Sequence, residues 1–271
     1  MNNSQTEAPI VLVHGILGFN QLTLGGSKVA SYFRNIPDAL RNDGHVVPEP
    51  PQLNRAGSIT ERAQDLKNYL ESNVDLNGKK VHLIAHSMGG LDARFMISKL
   101  GMADRVLSLT TIGTPHHGSP IADIFIAGTE PVLSHVLEHL GIDIKGASDL
   151  TTDAARRFNN DVADAPGVRY SSIAGRFEPP RLFNEPLGLL GFTHDIIMQT
   201  EGPGDGLVSV QSATMTERPD TWESLEVWEA NHFREINWAT DIVSPPSELL
   251  STAIVEKYKT LAARVVVGSR S

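Results

Sequence analysis

Val81-His82-Leu83-Ile84-Ala85-His86-Ser87-Met88-Gly89-Gly90 is the stretch on which the fold of this chain turns. Its apolar start, Val81–Ala85, reads as a buried strand, and Leu91-Asp92-Ala93-Arg94-Phe95-Met96 beyond it reads as a helix. A serine between the two, with small residues two before and two after, has the form of a nucleophile elbow. The turn must be tight enough to hold Ser87 in a strained backbone conformation with its hydroxyl exposed above the sheet edge. Residues larger than Gly or Ala at positions 85 and 89 would clash across it. The helix N-terminus beneath Ser87 offers free N–H groups and a positive dipole end to an oxyanion. Position 85 is Ala where such elbows usually carry Gly.

Outward from the elbow, strands alternate with helices. Pro9-Ile10-Val11-Leu12-Val13 reads as a buried strand that ends in His14-Gly15-Ile16. A helix is expected over 32–42, closed by Asn42-Asp43-Gly44, then a strand at 45–49 stopped by Pro48-Glu49-Pro50-Pro51. Ser58-Ile59-Thr60-Glu61 is a capping box, and Ile59, Ala63, Leu66 and Leu70 behind it share one helix face. Asn77-Gly78 turns the chain into the elbow strand. Arg105–Ile112 is a further β-rich run, followed by strands at 168–174 and Ser224–Val227 and a helix at 247–263. The expected fold class is α/β, a mostly parallel, doubly wound sheet in a single domain spanning 1–271. Residues 119–148 interrupt the alternation. There Val132, Leu133, Val136, Leu137 and Leu140 lie on one helical arc, with Ser134, His135, Glu138 and His139 facing the other way. An amphipathic insertion after a central strand is placed to cover a substrate.

Composition narrows the partners. The chain of 271 residues carries a formal charge of −9, which argues against nucleic acid or an anionic membrane surface. It has no cysteine, so disulfides, thiolate catalysis and Cys-based metal sites are excluded. The N-terminal stretch lacks the basic and apolar regions of a signal peptide, and no apolar run suits a transmembrane segment. A soluble protein is expected, cytoplasmic or exported without a cleaved signal. The oligomeric state is left open.

A nucleophilic serine needs a base and an orienting acid. His232, in Glu229-Ala230-Asn231-His232-Phe233, follows the last strand, where the base should stand. His116 and His117 come too early in the chain. His135 and His139 face away from the apolar arc of the insertion, and an i, i+4 pair without a third ligand reads as solvated. For the acid, Asp205 lies between two glycines in Gly204-Asp205-Gly206-Leu207-Val208, with Asp195 as the alternative. Oxyanion donors are expected at the N–H groups of Met88, after the nucleophile, and Ile16, after the first strand.

With these residues in place, the chain resembles the bacterial true lipases of the Pseudomonas, Burkholderia and Proteus group within the α/β-hydrolases. The resemblance is carried, in family order, by Pro9–Gly15, the elbow with Gly90, Thr111–Ser119, Asp205–Val208, and Asn231-His232 followed by Glu235-Ile236-Asn237. The stretches Gly18-Phe19-Asn20 and Asn35–Gly44 look closest to the Proteus-like branch. The resemblance implies Ser87, Asp205 and His232 as a triad, Ile16 and Met88 as oxyanion donors, and 119–148 as a mobile lid. That family also binds a structural calcium through an Asp two residues and a Gln six residues after the catalytic His. Arg234 and Trp238 stand there, and neither a guanidinium nor an indole ligates calcium. The calcium site is therefore expected to be lost, Arg234 supplying the positive charge by pairing with a carboxylate.

The expected activity is that of a serine carboxylester hydrolase, a lipase cleaving lipid esters, with no cofactor and only transient contact with a lipid interface. Leu182, Phe183, Leu187, Leu189, Leu190 and Phe192 suggest an acyl-binding loop. Short-chain esterase, thioesterase, phospholipase or polyester depolymerase activity uses the same triad. A non-catalytic binding module on this fold would have lost a triad member.

Overall fold

The computed structural model describes residues 8–16, 21–24, 27–55, 57–76, 78–130, 144–182, 185–186, 190–238 and 248–267. Its centre is a sheet of five parallel strands: β1 (Ile10–Val13), β4 (Val81–His86), β5 (Val106–Ile112), β6 (Arg169–Arg176) and β9 (Trp222–Glu229), in the order β1-β4-β5-β6-β9. Two short antiparallel pairs stand apart from it, β2 (Gln21–Leu24) with β3 (Ser27–Ser31) and β7 (Arg181–Leu182) with β8 (Glu185–Pro186).

Alternation along the strands splits the core into two layers. Val11, Val13, Leu83 and Ala85 pack against Leu66 and Leu70 of α2 (Ile59–Ser72) and Ala93 and Met96 of α3 (Gly89–Lys99). Ile10, Leu12 and Ile84 face the other way, onto Leu40 of α1 (Ile36–Asn42) and Tyr258 and Leu261 of the C-terminal helix. Helices on both faces are what an all-parallel sheet requires, since its strands are apolar on both sides. The capping box of α2 forms as its sequence predicts, and Ile59, Ala63, Leu66 and Leu70 are all buried. Truncating Leu66 to Ala would cost about 2–5 kcal/mol.

Two expectations are corrected. The helix predicted over 32–42 begins only at Ile36, because Asn35 takes a left-handed φ of 61° and breaks the helical path. No strand forms at 45–49. Val46 accepts one backbone hydrogen bond from Ile10 of the edge strand (2.9 Å), but Pro48, Pro50 and Pro51 have no N–H with which to continue a ladder. The β2–β3 pair has no counterpart among the sequence expectations.

The insertion contributes α4 (Pro120–Ala127), capped by Ser119 Oγ accepting from Ile121 N–H, and the short α5 (Ile144–Ser148). The arc of Val132–Leu140, with His135 and His139, lies outside the described residues. After it come α6 (Thr152–Asp161), α7 (Gly191–Thr200), α8 (Val210–Ala213) and α9 (Glu248–Val267). No helix among the described residues is long and apolar enough to cross a membrane.

Candidate active site

Every sequence-predicted site residue that concerns the chemistry sits at the C-terminal edge of the sheet, where open parallel sheets place their sites. Ser87 follows β4 directly and holds φ at 56°, a left-handed conformation that costs a non-glycine residue energy. Its backbone is pinned from both sides: Ser87 N–H donates to the Ile112 carbonyl (2.9 Å) and Thr114 Oγ1 donates to the Ser87 carbonyl (2.7 Å). A Cβ added at Gly89 would come 2.7–2.8 Å from the carbonyl oxygens of His14 and Val13, which is the clash that the small residue avoids.

His232 bridges the other two groups. Its Nε2 lies 3.0 Å from Ser87 Oγ and its Nδ1 2.7 Å from Asp205 Oδ2. Asp205 has no exposed surface and His232 is 4% exposed. The other Asp205 oxygen accepts the N–H groups of Leu207 and Val208, each at 2.8 Å. These three donors hold the carboxylate in one orientation. A tight turn delivers it, Asp205 N–H donating to the Val208 carbonyl (3.0 Å) with Gly206 at φ 98°. The alternative acid, Asp195, sits against His194 Nδ1 instead (3.1 Å). His116 is engaged with Thr111 and Arg94, and His117 with Glu217.

Ile16 lines the pocket with Ser87 and Met88 follows Ser87 in the chain, both buried. Among the described residues, no protein acceptor takes the backbone N–H of either, so both donors are available to an oxyanion. The loop that presents Ile16 is held by His14 and Arg62. His14 Nε2 accepts the N–H of Leu53 (3.0 Å), which leaves its Nδ1–H to donate to the Gly15 carbonyl (2.8 Å). Burial, with Arg62 nearby, lowers His14 to about 3, so the ring stays neutral. Arg62 donates to the carbonyls of His14 (2.7 Å) and Asn54 (2.9 Å) and to Asp92 Oδ2 (2.8 Å) in the first turn of α3.

Behind Ser87, His232 and Asp205 lie three side chains to which the sequence reading gave no role. Tyr32 Oη accepts the N–H of Gly15 (3.0 Å) and lies 2.7 Å from His86 Nδ1. His86 Nε2 in turn lies 2.9 Å from Glu235 Oε2. The ligand-type atoms of His86, His232 and Glu235 fall within 4.8 Å of one another, but hydrogen bonds among themselves and with Asp205 account for their grouping. In sequence, the sign of this cluster is a glutamate inside Phe233-Arg234-Glu235-Ile236, next to the expected base.

A pocket of about 570 Å³, its open mouth included, leads to Ser87 and His232. Its described wall is almost entirely apolar: Ile16, Pro115, Ile121 and Phe125 of the early loops and α4, with Ala147, Leu150 and Leu207. Of the expected acyl-binding loop, only Leu190 and Phe192 have described side chains. Leu190 is buried against the acid loop at Gly206 and Phe192 is 40% exposed, and neither lines the described pocket. The side chains of Leu182, Phe183, Leu187 and Leu189 lie outside the described residues. Of the two residues at the expected calcium positions, Trp238 donates its indole N–H to the Tyr32 carbonyl (2.8 Å). Arg234 borders a second cleft that also carries Arg176, Glu178 and Glu229.

Comparison with known proteins agrees with this fold. The model of the Alpha/beta hydrolase family matches residues 10–265. A triacylglycerol lipase of Vibrio cholerae serotype O1 is 30% identical over 97% of this chain and 88% of its own length. Triacylglycerol lipase 2 of Saccharomyces cerevisiae is 32% identical over 73% of this chain and 60% of its own. Among solved structures, the lipase of Staphylococcus hyicus superposes with a TM-score of 0.72 at 19% identity, covering 100% of this chain and 99% of that one.

Proposed function

The chain belongs to the alpha/beta hydrolase family, and from that premise we propose that it is a lipase, cleaving acylglycerol esters through an acyl-enzyme on Ser87. The observation that carries the reading is His232 within hydrogen-bond reach of both Ser87 Oγ and Asp205 Oδ2. His232 Nε2 takes the proton as Ser87 Oγ attacks the ester carbonyl, and the imidazolium so formed faces the Asp205 carboxylate. The N–H groups of Ile16 and Met88 receive the oxyanion. His232 then gives its proton to the leaving alcohol. Water, activated by the same imidazole, releases the fatty acid and restores the serine.

The apolar lining beside Ser87 favours an acyl chain over a polar substituent. The ordered motifs from Pro9 to Asn237 support a relation to the Pseudomonas, Burkholderia and Proteus group, with one domain and residues 119–148 as its lid. In this reading the calcium of that group is lost. Trp238 instead links the segment after His232 to Tyr32 by a direct hydrogen bond, and Arg234 pairs with a carboxylate of the cleft it borders.

The test is hydrolysis of p-nitrophenyl esters from acetate to palmitate, with and without EDTA, by the wild type and Ser87→Ala. Long-chain activity that is lost in the variant and indifferent to EDTA is expected. Activity limited to acetate and butyrate would make the protein an esterase, and sensitivity to EDTA would restore the metal. Inactivity on every ester, with no labelling of Ser87 by a fluorophosphonate, would leave a binding module.

A further inference from the structure

The back of the triad is closed by a residue that the steps above do not use. Glu235 has no exposed surface, and its Oε2 lies 2.9 Å from His86 Nε2 and 3.7 Å from His232 Nδ1. Its carboxyl crowds that of Asp205: Asp205 Oδ2 lies 2.7 Å from the same His232 Nδ1, and a Cβ built at Gly113 would meet both Glu235 Oε2 and Asp205 Oδ2. Two carboxyls in such contact cannot both carry a negative charge away from water. The surrounding donors decide which one does. Asp205 receives three N–H groups, whereas Glu235 receives none from the backbone and no donor reaches its Oε1. Among the described residues no lysine or arginine pairs with Glu235. The other titratable groups facing it, His86, His232, Tyr32 and Tyr258, supply no fixed positive charge. Burial and the Asp205 charge both push the Glu235 carboxyl well above the usual carboxylate range.

The space is cut to fit this group. A Cβ at Gly175 would collide with Glu235 Oε1, and one at Gly113 with Oε2. Both glycines lie at the C-terminal edge of the sheet, beside the strand ends, so the backbone itself is hollowed around the carboxyl.

We propose that Glu235 is a positioning residue held as a neutral carboxylic acid, donating its O–H to Asp205 and accepting from His86, so that it couples the oxyanion loop to the triad acid. The proton assignment is consistent at every step. Gly15 N–H donates to Tyr32 Oη, Tyr32 O–H to His86 Nδ1, His86 Nε2–H to Glu235 Oε2, and Glu235 O–H to Asp205. His232 Nδ1–H reaches Asp205 from the other side. One negative charge thus serves the whole line, and it sits where the imidazolium of His232 will need it. The alternative, an ionised Glu235 acting as a second acid on His232, leaves two adjacent buried carboxylates with no cation to offset them.

This inference rests on the triad reading, so one arm of its test is independent of activity. The infrared spectrum of the wild type at neutral pH should contain the carbonyl stretch of a buried protonated carboxylic acid, absent from Glu235→Gln. In turnover, Glu235→Leu should lower kcat about tenfold to a hundredfold with little change in KM. Glu235→Gln should recover most of that loss, since its amide N–H still donates to Asp205 and its amide oxygen still accepts from His86. Tyr32→Phe, which removes one hydroxyl from the middle of the line, should lower kcat severalfold. If no carboxylic acid band disappears in Glu235→Gln, or if Gln is as poor as Leu, Glu235 works as an anion and the proposal fails. If the wild type turns over no ester, the triad reading fails while the infrared arm still decides the charge of Glu235.

Discussion

Arg62 directs Nη2 at the carbonyl oxygen of His14 across 2.7 Å, and neither residue has any exposed surface. The contact fixes the peptide that leads into Gly15 and Ile16, the loop proposed to supply one oxyanion donor. A second consequence is electrostatic. Arg62 also compensates Asp92, whose carboxyl burial pushes up to about 7 against the pull of the guanidinium.

Arg62→Met should therefore act in two separable ways. It leaves Asp92 buried without its partner, a loss of about 3–5 kcal/mol, and it frees the His14 carbonyl. Adding Asp92→Leu removes the uncompensated carboxyl, so the double variant should regain most of the stability but not the lost kcat. Urea midpoints and steady-state kinetics on the wild type and the two variants check this. Recovery of both together would show that Arg62 has no hold on the oxyanion loop.

Asp205→Ala should lower kcat by about a thousandfold to ten-thousandfold while His232 and Ser87 remain present. The acid loop also loses the side-chain acceptor of the Leu207 and Val208 N–H groups. Thermal stability should thus fall along with activity. Burst kinetics with a p-nitrophenyl ester would place the loss in acylation, the step in which Ser87 gives up its proton.

Acyl selectivity should respond to Ala147, which is 2% exposed and lines the pocket with Phe125 and Ile121. Ala147→Phe fills space that a long chain would enter. The ratio of kcat/KM for palmitate to that for butyrate should fall about tenfold or more. A ratio that does not move would place the acyl chain elsewhere.

Four buried histidines set the acid limit of the fold. Burial lowers His14 to about 3 and His82 to about 4, and drives His86 and His116 well below the ordinary value of 6.5. Each is neutral when folded and takes up a proton on unfolding, so unfolding is favoured as pH falls below 6.5. Their contribution is complete above that pH and is lost on the way down, by about 1.4 kcal/mol per pH unit for each group. The steepest loss should lie between pH 6 and pH 4, where His14 and His82 are still neutral in the folded protein and charged once unfolded. Urea titrations across this interval measure it, and His82→Gln, which keeps a polar contact to Ser108 without a titrating ring, should flatten the slope by one proton.

Local pattern carried the parts of the molecule that are built locally. The elbow, the capping box at Ser58 and the central strands were legible because a turn, a cap and an apolar run each need particular residues within a few positions. The extended segment at 45–49 misled for a related reason: its prolines mark a boundary but also remove the N–H groups that a strand needs. Asn35, in its left-handed conformation, delays the helix expected over 32–42 to Ile36. Tyr32, His86 and Glu235 are a different case. They lie far apart in sequence, and only the folded sheet edge brings them together, so no spacing announces them. The hollow at Gly113 and Gly175 is equally invisible without knowing that β5 and β6 are neighbours.

Ser87 keeps a backbone conformation that folding alone would assign to glycine. Replacing it by Gly should raise the melting temperature slightly, by relieving about 1 kcal/mol of strain, while ending catalysis. Selection on stability and selection on chemistry thus pull this one codon in opposite directions. Any lineage relieved of the reaction would drift toward glycine or asparagine here first. The serine's persistence in a relative is accordingly a better sign of a working enzyme than the fold around it.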